Sequence, residues 1–336
     1  MTIGMTPEEQ FNGKTILITG ATGSFGTRFA QTILDRYEPQ AVRVFSRDEL
    51  KQYEMQRRFA DESRLRYLLG DVRSVERLQR ATRGVDLIVH AAALKQVPAC
   101  EYNPFEAVQT NILGAENVLT AALENGVPKV MALSTDKCVN PVNLYGATKL
   151  AAEKIVIQGN SYAADSVSRF ACVRYGNVVG SRGSVIPMFK AQAAKGFVTI
   201  TDPRMTRFWI TLDQAVDFVI DAICRMGGGE VFIPRIPSMR ITDLAEAVAP
   251  GAEHRIVGIR PGEKLHEVLL TGDESRHAMS TQLGYVVLPH HASWPMQEVE
   301  DGVPLEGGLV YSSDTNESWV SPRELRAMAA DVVATP

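Results

Sequence analysis

"TILITGATGSFG" (residues 15–26) begins as an apolar run and breaks at three glycines, Gly20, Gly23 and Gly26. A short run of Ile, Leu and Thr bounded by glycine reads as a buried strand. Glycines spaced GxxGxxG directly after it permit a tight turn, and they let backbone N–H groups approach a pyrophosphate at the start of a helix. Thr22, Ser24 and Phe25 fill the turn between them. Glycine-rich turns are common, so the motif takes its meaning from a strand before it and a helix after it. An ordinary strand–helix turn is the alternative.

The first half of the chain supplies that context. Apolar runs at 41–46, 66–71, 85–92, 129–135 and 170–180 alternate with amphipathic segments such as 104–125, opened by Pro104. Strands alternating with helices predict βαβ units and a parallel sheet covered on both faces. The expected fold is α/β, a Rossmann-type doubly wound parallel sheet. After residue 180 the pattern loosens into Gly and Pro punctuation, which predicts a smaller α/β lobe. Residues 1–180 are expected to bind a dinucleotide and residues 181–336 mainly the substrate, with the chain free to cross back to the first domain. Residues 289–308 have weak periodicity and read as a long surface loop.

Composition narrows the function classes. A net charge of -4 over 336 residues gives no electrostatic case for nucleic acid or an anionic membrane surface. Cys100, Cys138, Cys172 and Cys224 are widely spaced and the six histidines form no ligand spacing, so neither a metal site nor a disulfide framework is expected. No stretch approaches the ~18 apolar residues of a membrane span, and the first residues lack an apolar signal core. A cytoplasmic location is the expectation.

The second strand ends in "SRDELK" (46–51). An NAD-binding unit usually places an acid there for the ribose hydroxyls, whereas an Arg suits a 2′-phosphate. Arg47, with Lys51 one helical turn on, favours NADP; Asp48 blurs the reading, and either cation can be a solvated charge. Asp71, at the end of the third strand, is placed to meet the adenine or to cap a helix. Ser46, Val72 and Ala91 flank these positions as further cofactor contacts.

"STDKCVNPVNLYGATK" (134–149) carries the chemistry. Tyr145 and Lys149, at i and i+4, share a helix face, while Asp136 and Lys137 follow a strand at its carboxyl end, where open α/β sheets place their sites. A Tyr of reference pKa ~10 becomes a base near neutrality if a Lys ammonium and a nicotinamide cation stabilise its phenolate. A packed Tyr and a surface Lys are the alternative. A C4 epimerase needs only this pair. A 4,6-dehydratase must also remove the C5 proton and expel the C6 hydroxyl, which calls for one more base and one more acid.

YxxxK, "GATGSFG" and the "HAAA" strand end (90–93) resemble the extended short-chain dehydrogenases/reductases that act on nucleotide sugars. "FSRDELKQ", "HAAALKQVPACEYNP", "RYGNVVGSRGSVIP", "TDPRMTRFWIT" and "GIRPGEKLHE" are similar, in order, to blocks of the inverting UDP-N-acetylglucosamine 4,6-dehydratases, covering roughly residues 13 to 270. Lys137 follows Asp136 where dehydratases that retain C5 configuration typically show Glu. Cys138 departs from the small residue expected there.

The resemblance implies the following roles. Tyr145, supported by Lys149, takes the C4 hydroxyl proton as hydride passes to NADP, which stays bound and is recycled; Thr135 hydrogen-bonds the C4 oxygen. Lys137 removes the C5 proton and returns one with inversion, while Asp136 protonates the departing C6 hydroxyl. Lys95, Asn177, Ser184, Val185, Arg207, Arg260 and Glu263 would contact the substrate, UDP-N-acetylglucosamine, and Val178 the cofactor. For each charged contact a structural salt bridge is the alternative. The product would feed pseudaminic acid synthesis, and a homo-oligomer is implied, with 104–125 and 145–158 as candidate interface helices. A neutral Lys137 near pH 7 requires its pKa to fall by roughly three units, about 4 kcal/mol. A retaining dehydratase, a C4 epimerase and a non-catalytic dinucleotide-binding sensor remain the other readings; the intact YxxxK pair argues against the last.

Overall fold

The computed structural model describes residues 5–163, 167–180 and 184–330. Residues 181–183 of the expected nucleotide-side loop "GSRGSVIP" lie outside the described residues. β1 (Thr15–Thr19), β2 (Ala41–Ser46), β3 (Leu65–Leu69), β4 (Leu87–His90), β5 (Lys129–Leu133) and β6 (Arg169–Val173) run parallel in the order β3-β2-β1-β4-β5-β6. This is the doubly wound arrangement that the glycine turn and the alternating runs predict.

The chain then leaves the sheet for β7 (Asn177–Val178), β8 (Phe197–Ile200) and β9 (Thr206–Ile210). It returns as β10 (Val231–Pro234), parallel to β6. It departs again through β11 (Ser238–Arg240), β12 (Glu253–Ile256) and β13 (Val268–Leu270). β14 (Ala278–Ser280), β15 (Gly284–Val287) and β16 (Val303–Pro304) then complete a ten-stranded sheet with an antiparallel edge, and β17 (Tyr311–Ser312) pairs with β13. Strands β7, β9 and β11 form a separate small sheet beside the carboxyl ends of the main one.

Alternation along the buried strands divides the core. Leu17, Ile88, Val130, Phe170 and Ile233 face one helical layer, with Val118, Ala122 and Val156. Ile16, Ile18, Val89, Met131 and Phe232 face the other, with Phe29, Ile33, Val219 and Ile223. A third cluster around Ile186, Phe189, Trp209 and Leu244 fills the second lobe.

Three expectations change in detail. The run 170–180 is two strands: Gly176 passes so close to Phe208 that a Cβ would lie 2.5 Å from its Cβ, and the chain turns there to pair with β9. Segment 104–125 is a helix interrupted by a π-turn over Gln109–Leu113. That turn brings Asn111 inward, where its amide bonds Leu94 and the Thr148 hydroxyl. Within 289–308, Trp294 is buried with its indole N–H on the Gly228 carbonyl, and Val303–Pro304 pairs with β14, so the stretch is anchored at both places.

Behind the carboxyl end of β6 lies a buried ion cluster. Arg174 and Glu153 are each 1% exposed, and Arg174 also meets Glu274 at 2.9 Å. Burial works against both carboxylates, yet Arg174 holds Glu153 and Glu274 below the usual carboxylate range. Their stabilisation is full above the unfolded carboxylate pKa and is lost as pH falls through the lowered folded values. Replacing Arg174 by Met would strand one buried carboxylate, Glu153, and one half-buried, Glu274. We expect a loss of about 3–5 kcal/mol in urea unfolding near neutral pH; a near-native midpoint would show that the cluster is not structural.

Candidate active site

The carboxyl ends of the parallel strands form the crevice expected of this topology. Gly20 closes the turn after β1 at φ 66°, and a Cβ there would lie 2.8 Å from the Ala92 nitrogen. Gly26 is needed for a different close approach, since its Cβ would lie 2.5 Å from the Cα of Ala21. Gly23 is the N-cap of the helix Ser24–Arg36 and meets only the Gly20 carbonyl. Two glycines therefore serve the fold, and the third leaves the helix N-terminus open, which fits a pyrophosphate. Thr22 bonds Ser46 across the turn at 3.0 Å, and Phe25 stacks between Phe29 and Tyr175.

The positions expected around the rest of a dinucleotide lie along the same edge. Arg47 follows β2 with half its side chain exposed, and Lys51 pairs with Asp48 at 2.7 Å. Asp48 caps the helix Glu49–Arg58, so its carboxylate is engaged locally. Asp71 caps no helix; Ser74 does that, while Asp71 accepts from Arg73 and lies 3.8 Å from Arg47. Val72 is buried against the helix that starts at Gly114, and Ala91 continues from β4.

The β5 end brings the expected catalytic side chains together. Ser134 and Asp136 donate their backbone N–H groups to the carbonyls of Val173 and Tyr175, which extends the β5–β6 ladder into the loop. Thr135 then caps a single 3-10 turn, Asp136–Cys138. The helix Leu144–Gln158, capped by Asn143, packs directly on that turn. Gly146 explains the closeness, because a Cβ there would collide with the Lys137 carbonyl oxygen.

Asp136 is fully buried. Its Oδ1 accepts from Thr135 Oγ1 and Lys137 Nζ, both at 3.0 Å, while Oδ2 has no hydrogen-bond partner. Lys137 Nζ also lies 3.8 Å from Glu267, in the second lobe. Burial alone would lower the Lys137 ammonium, but Asp136 and Glu267 outweigh it and raise it above its ordinary value. The expected depression is therefore absent in the chain by itself: two carboxylates keep the proton on.

Burial pushes the Tyr145 phenol up to about 12, against the pull of Lys137 and Thr135. Lys149 is buried, lowered mainly by burial, and donates to the Leu133 carbonyl at 2.7 Å. The cation acting on Tyr145 in this structure is thus Lys137.

The expected substrate residues divide. Asn177 borders the crevice on β7 with a buried, unpartnered Oδ1, and Val178 beside it packs against both main cores. Ser184 caps the helix Val185–Ala193 with its hydroxyl unpartnered. Lys95 is exposed in the loop after β4. Arg207 spends its guanidinium on the carbonyls of Thr206, Lys264 and Leu265 and stands 3.8 Å from Glu267. Arg260 is exposed and pairs with Glu263, whose Oε2 is buried without a hydrogen-bond partner. Glu267 and Lys264 are the residues that sequence reasoning passed over. Both lie inside "GIRPGEKLHE", but only the fold brings that segment against the β5 loop, where Lys264 donates to the Val139 carbonyl. Among the described residues no group of His, Cys, Asp and Glu could hold a metal ion, and no helix is long and apolar enough to cross a membrane.

Residues 16–289 match the family described as "Polysaccharide biosynthesis protein". A Campylobacter jejuni protein named UDP-N-acetylglucosamine 4,6-dehydratase (inverting) is 51% identical over 94% of this chain and 97% of its own length. The chain belongs to this family. A UDP-glucose 4-epimerase of Rickettsia conorii is 43% identical over 80% of the chain and 81% of its own. The X-ray structure of Pen from Bacillus thuringiensis superposes with a TM-score of 0.87 at 39% identity, covering 96% of this chain and 98% of that one.

Gly146→Ala should separate the helix from the β5 loop. Because the atom it meets is backbone, we expect a cost of about 1–3 kcal/mol and at least a tenfold fall in turnover. Unchanged turnover would show that the loop position is not critical.

Proposed function

We propose that the protein is a hydro-lyase, an NADP-dependent inverting 4,6-dehydratase acting on UDP-N-acetylglucosamine. The observation that carries this reading is the pairing of buried Asp136, one carboxylate oxygen unpartnered, with half-buried Lys137 beside Tyr145 at the end of β5. An epimerase needs no such acid and base. The 51% identity to a protein of that name supports the substrate. Arg47 and Lys51, two half-exposed cations after β2, support NADP over NAD.

A nicotinamide ring bound at the crevice supplies a hydride acceptor at C4 and a donor at C6, and its positive charge favours the phenolate. Gly23 and Ser24 would hold its pyrophosphate in the turn that Gly20 and Gly26 shape and Thr22 and Phe25 line, and Ser46, Arg47, Lys51, Asp71, Val72, Ala91 and Val178 would border the rest. Tyr145, supported by Lys149, takes the C4 hydroxyl proton, with Thr135 holding the oxygen. The 4-keto group acidifies C5–H, and Lys137 removes that proton as a neutral amine. Asp136, as a carboxylic acid, protonates the departing C6 hydroxyl. A single proton moved from Lys137 Nζ to Asp136 converts the observed ion pair into this acid and base without changing net charge. Lys137, reloaded by the C5 proton, is again an ammonium and delivers a proton to the face of C5 that inverts it, and the proton that Tyr145 took from the C4 hydroxyl then restores the Asp136–Lys137 ion pair. Lys95, Asn177, Ser184, Val185, Arg207, Arg260 and Glu263 are the proposed substrate contacts.

The product would lead to pseudaminic acid, in the cytoplasm. A homo-oligomer belongs to the same reading; Tyr102 and Phe105, 87% and 79% exposed, offer an apolar face beside the interface helices.

Proton NMR of the enzyme with UDP-N-acetylglucosamine in deuterated water tests the reading. We expect an L-arabino 4-keto product carrying deuterium at C5. A D-xylo product would remove inversion, and UDP-N-acetylgalactosamine without dehydration would make the protein an epimerase.

A further inference from the structure

Glu267 is a carboxylate in a place where burial should be costly. It is 2% exposed, at the start of β13, and three cations converge on it. Lys137 Nζ and Arg207 Nε each stand 3.8 Å from Oε1, and Lys264 Nζ stands 3.4 Å from Oε2. Oε2 makes no hydrogen bond. A buried carboxylate without full hydrogen bonding persists only where charge compensates it.

Its backbone is fixed with equal care. The Ser313 hydroxyl accepts from the Glu267 N–H at 2.9 Å, and the Ser313 N–H donates to the Glu267 carbonyl at 2.8 Å. Thr206 links the Ser313 hydroxyl to His266. Lys264, on the same segment, reaches the carbonyls of Asp136 and Val139. The second lobe and the tail strand β17 thus hold one carboxylate against the amine on the β5 loop.

We propose that Glu267 is a positioning residue for Lys137, clamping its ammonium beside Asp136 from the opposite side of the crevice. This rests on the reading of Lys137 as the C5 base. The clamp suits a group that must first accept the C5 proton and then keep it until C5 takes one back. The charged and titratable groups facing Lys137 are Asp136, Glu267, Arg207 and Tyr145. Asp136 acts as acid in its protonated form, which leaves Glu267 as the remaining negative charge on the amine during elimination. Arg207 and Lys264 limit that charge, so Glu267 attracts the ammonium without making its proton irremovable.

The test is the pH dependence of solvent deuterium incorporation at C5, measured for the NADP-loaded enzyme with UDP-N-acetylglucosamine. Exchange at C5 needs the base alone, so above the pH range in which the Asp136–Lys137 tautomer supplies the amine its rate rises further as Lys137 loses its proton to solvent. In Glu267→Gln the rising limb should move to lower pH by about one unit, which is about fivefold more neutral amine at one unit below the native midpoint. Glu267→Asp withdraws the carboxylate by one methylene and should move the limb the same way by less; it also serves if the Gln variant fails to fold. A limb that stays in place in a folded variant, with the rate scaled down equally at every pH, would overturn the proposal and leave Glu267 a structural charge. Lys137→Met separates the two layers of the argument. C5 incorporation that survives in it would overturn the base assignment itself, whereas its loss alongside an unmoved Glu267→Gln limb would overturn only the clamp.

Discussion

A fully buried carboxylate beside an amine cannot stay charged alone, and the site at the end of β5 is organised around that constraint. Asp136 has no solvent to stabilise it, so Lys137 must keep its proton while Asp136 lacks one. The ladder bonds from Val173 and Tyr175 hold Ser134 and Asp136, and Gly146 lets the Tyr145 helix close over the turn. Each feature brings the pair nearer to Tyr145 and farther from water. On the proposed reading, acid and base are present together only as the neutral tautomer of this ion pair, reached by moving one proton over 3.0 Å.

This arrangement also explains why the chain invests in a second lobe. Opposing charges within the β5 loop would balance without help, yet Glu267, Lys264 and Arg207 arrive from elsewhere in the fold and add to the same field. They lie on segments pinned by β9, β13 and β17, so the field depends on how the lobe seats against the Rossmann sheet. On the other side of the loop, Arg174 and Glu153 form a separate buried pair reached by the Cys138 thiol. The reactive turn is held between two charge clusters, one structural and one facing the crevice.

Much of this was legible in the chain. Apolar runs broken by glycine placed β1 to β6 within a residue or two at most ends, because buried parallel strands have few other ways to be written. The i, i+4 spacing put Tyr145 and Lys149 on one helix face for the same reason. The failures have equally physical causes. Residues 170–180 looked like one strand because the contact that ends it, Gly176 on Phe208, is between residues 32 positions apart. Asp136, which opposes any lowering of Lys137, is its neighbour in the sequence, but the second opposing carboxylate, Glu267, is 130 residues away in sequence and 3.8 Å away in space. Asn111 was hidden because a π-turn rotates it by a step no helical periodicity anticipates.

The central claim is that Lys137 performs the C5 step; its charge also favours the Tyr145 phenolate, so C4 oxidation slows without it but does not stop. A single turnover of Lys137→Met with UDP-N-acetylglucosamine, followed by reduced-nicotinamide absorbance and by product analysis, tests it most directly. The account predicts that reduced cofactor builds up and persists while no water is lost from the sugar. Dehydrated product from this variant would contradict it.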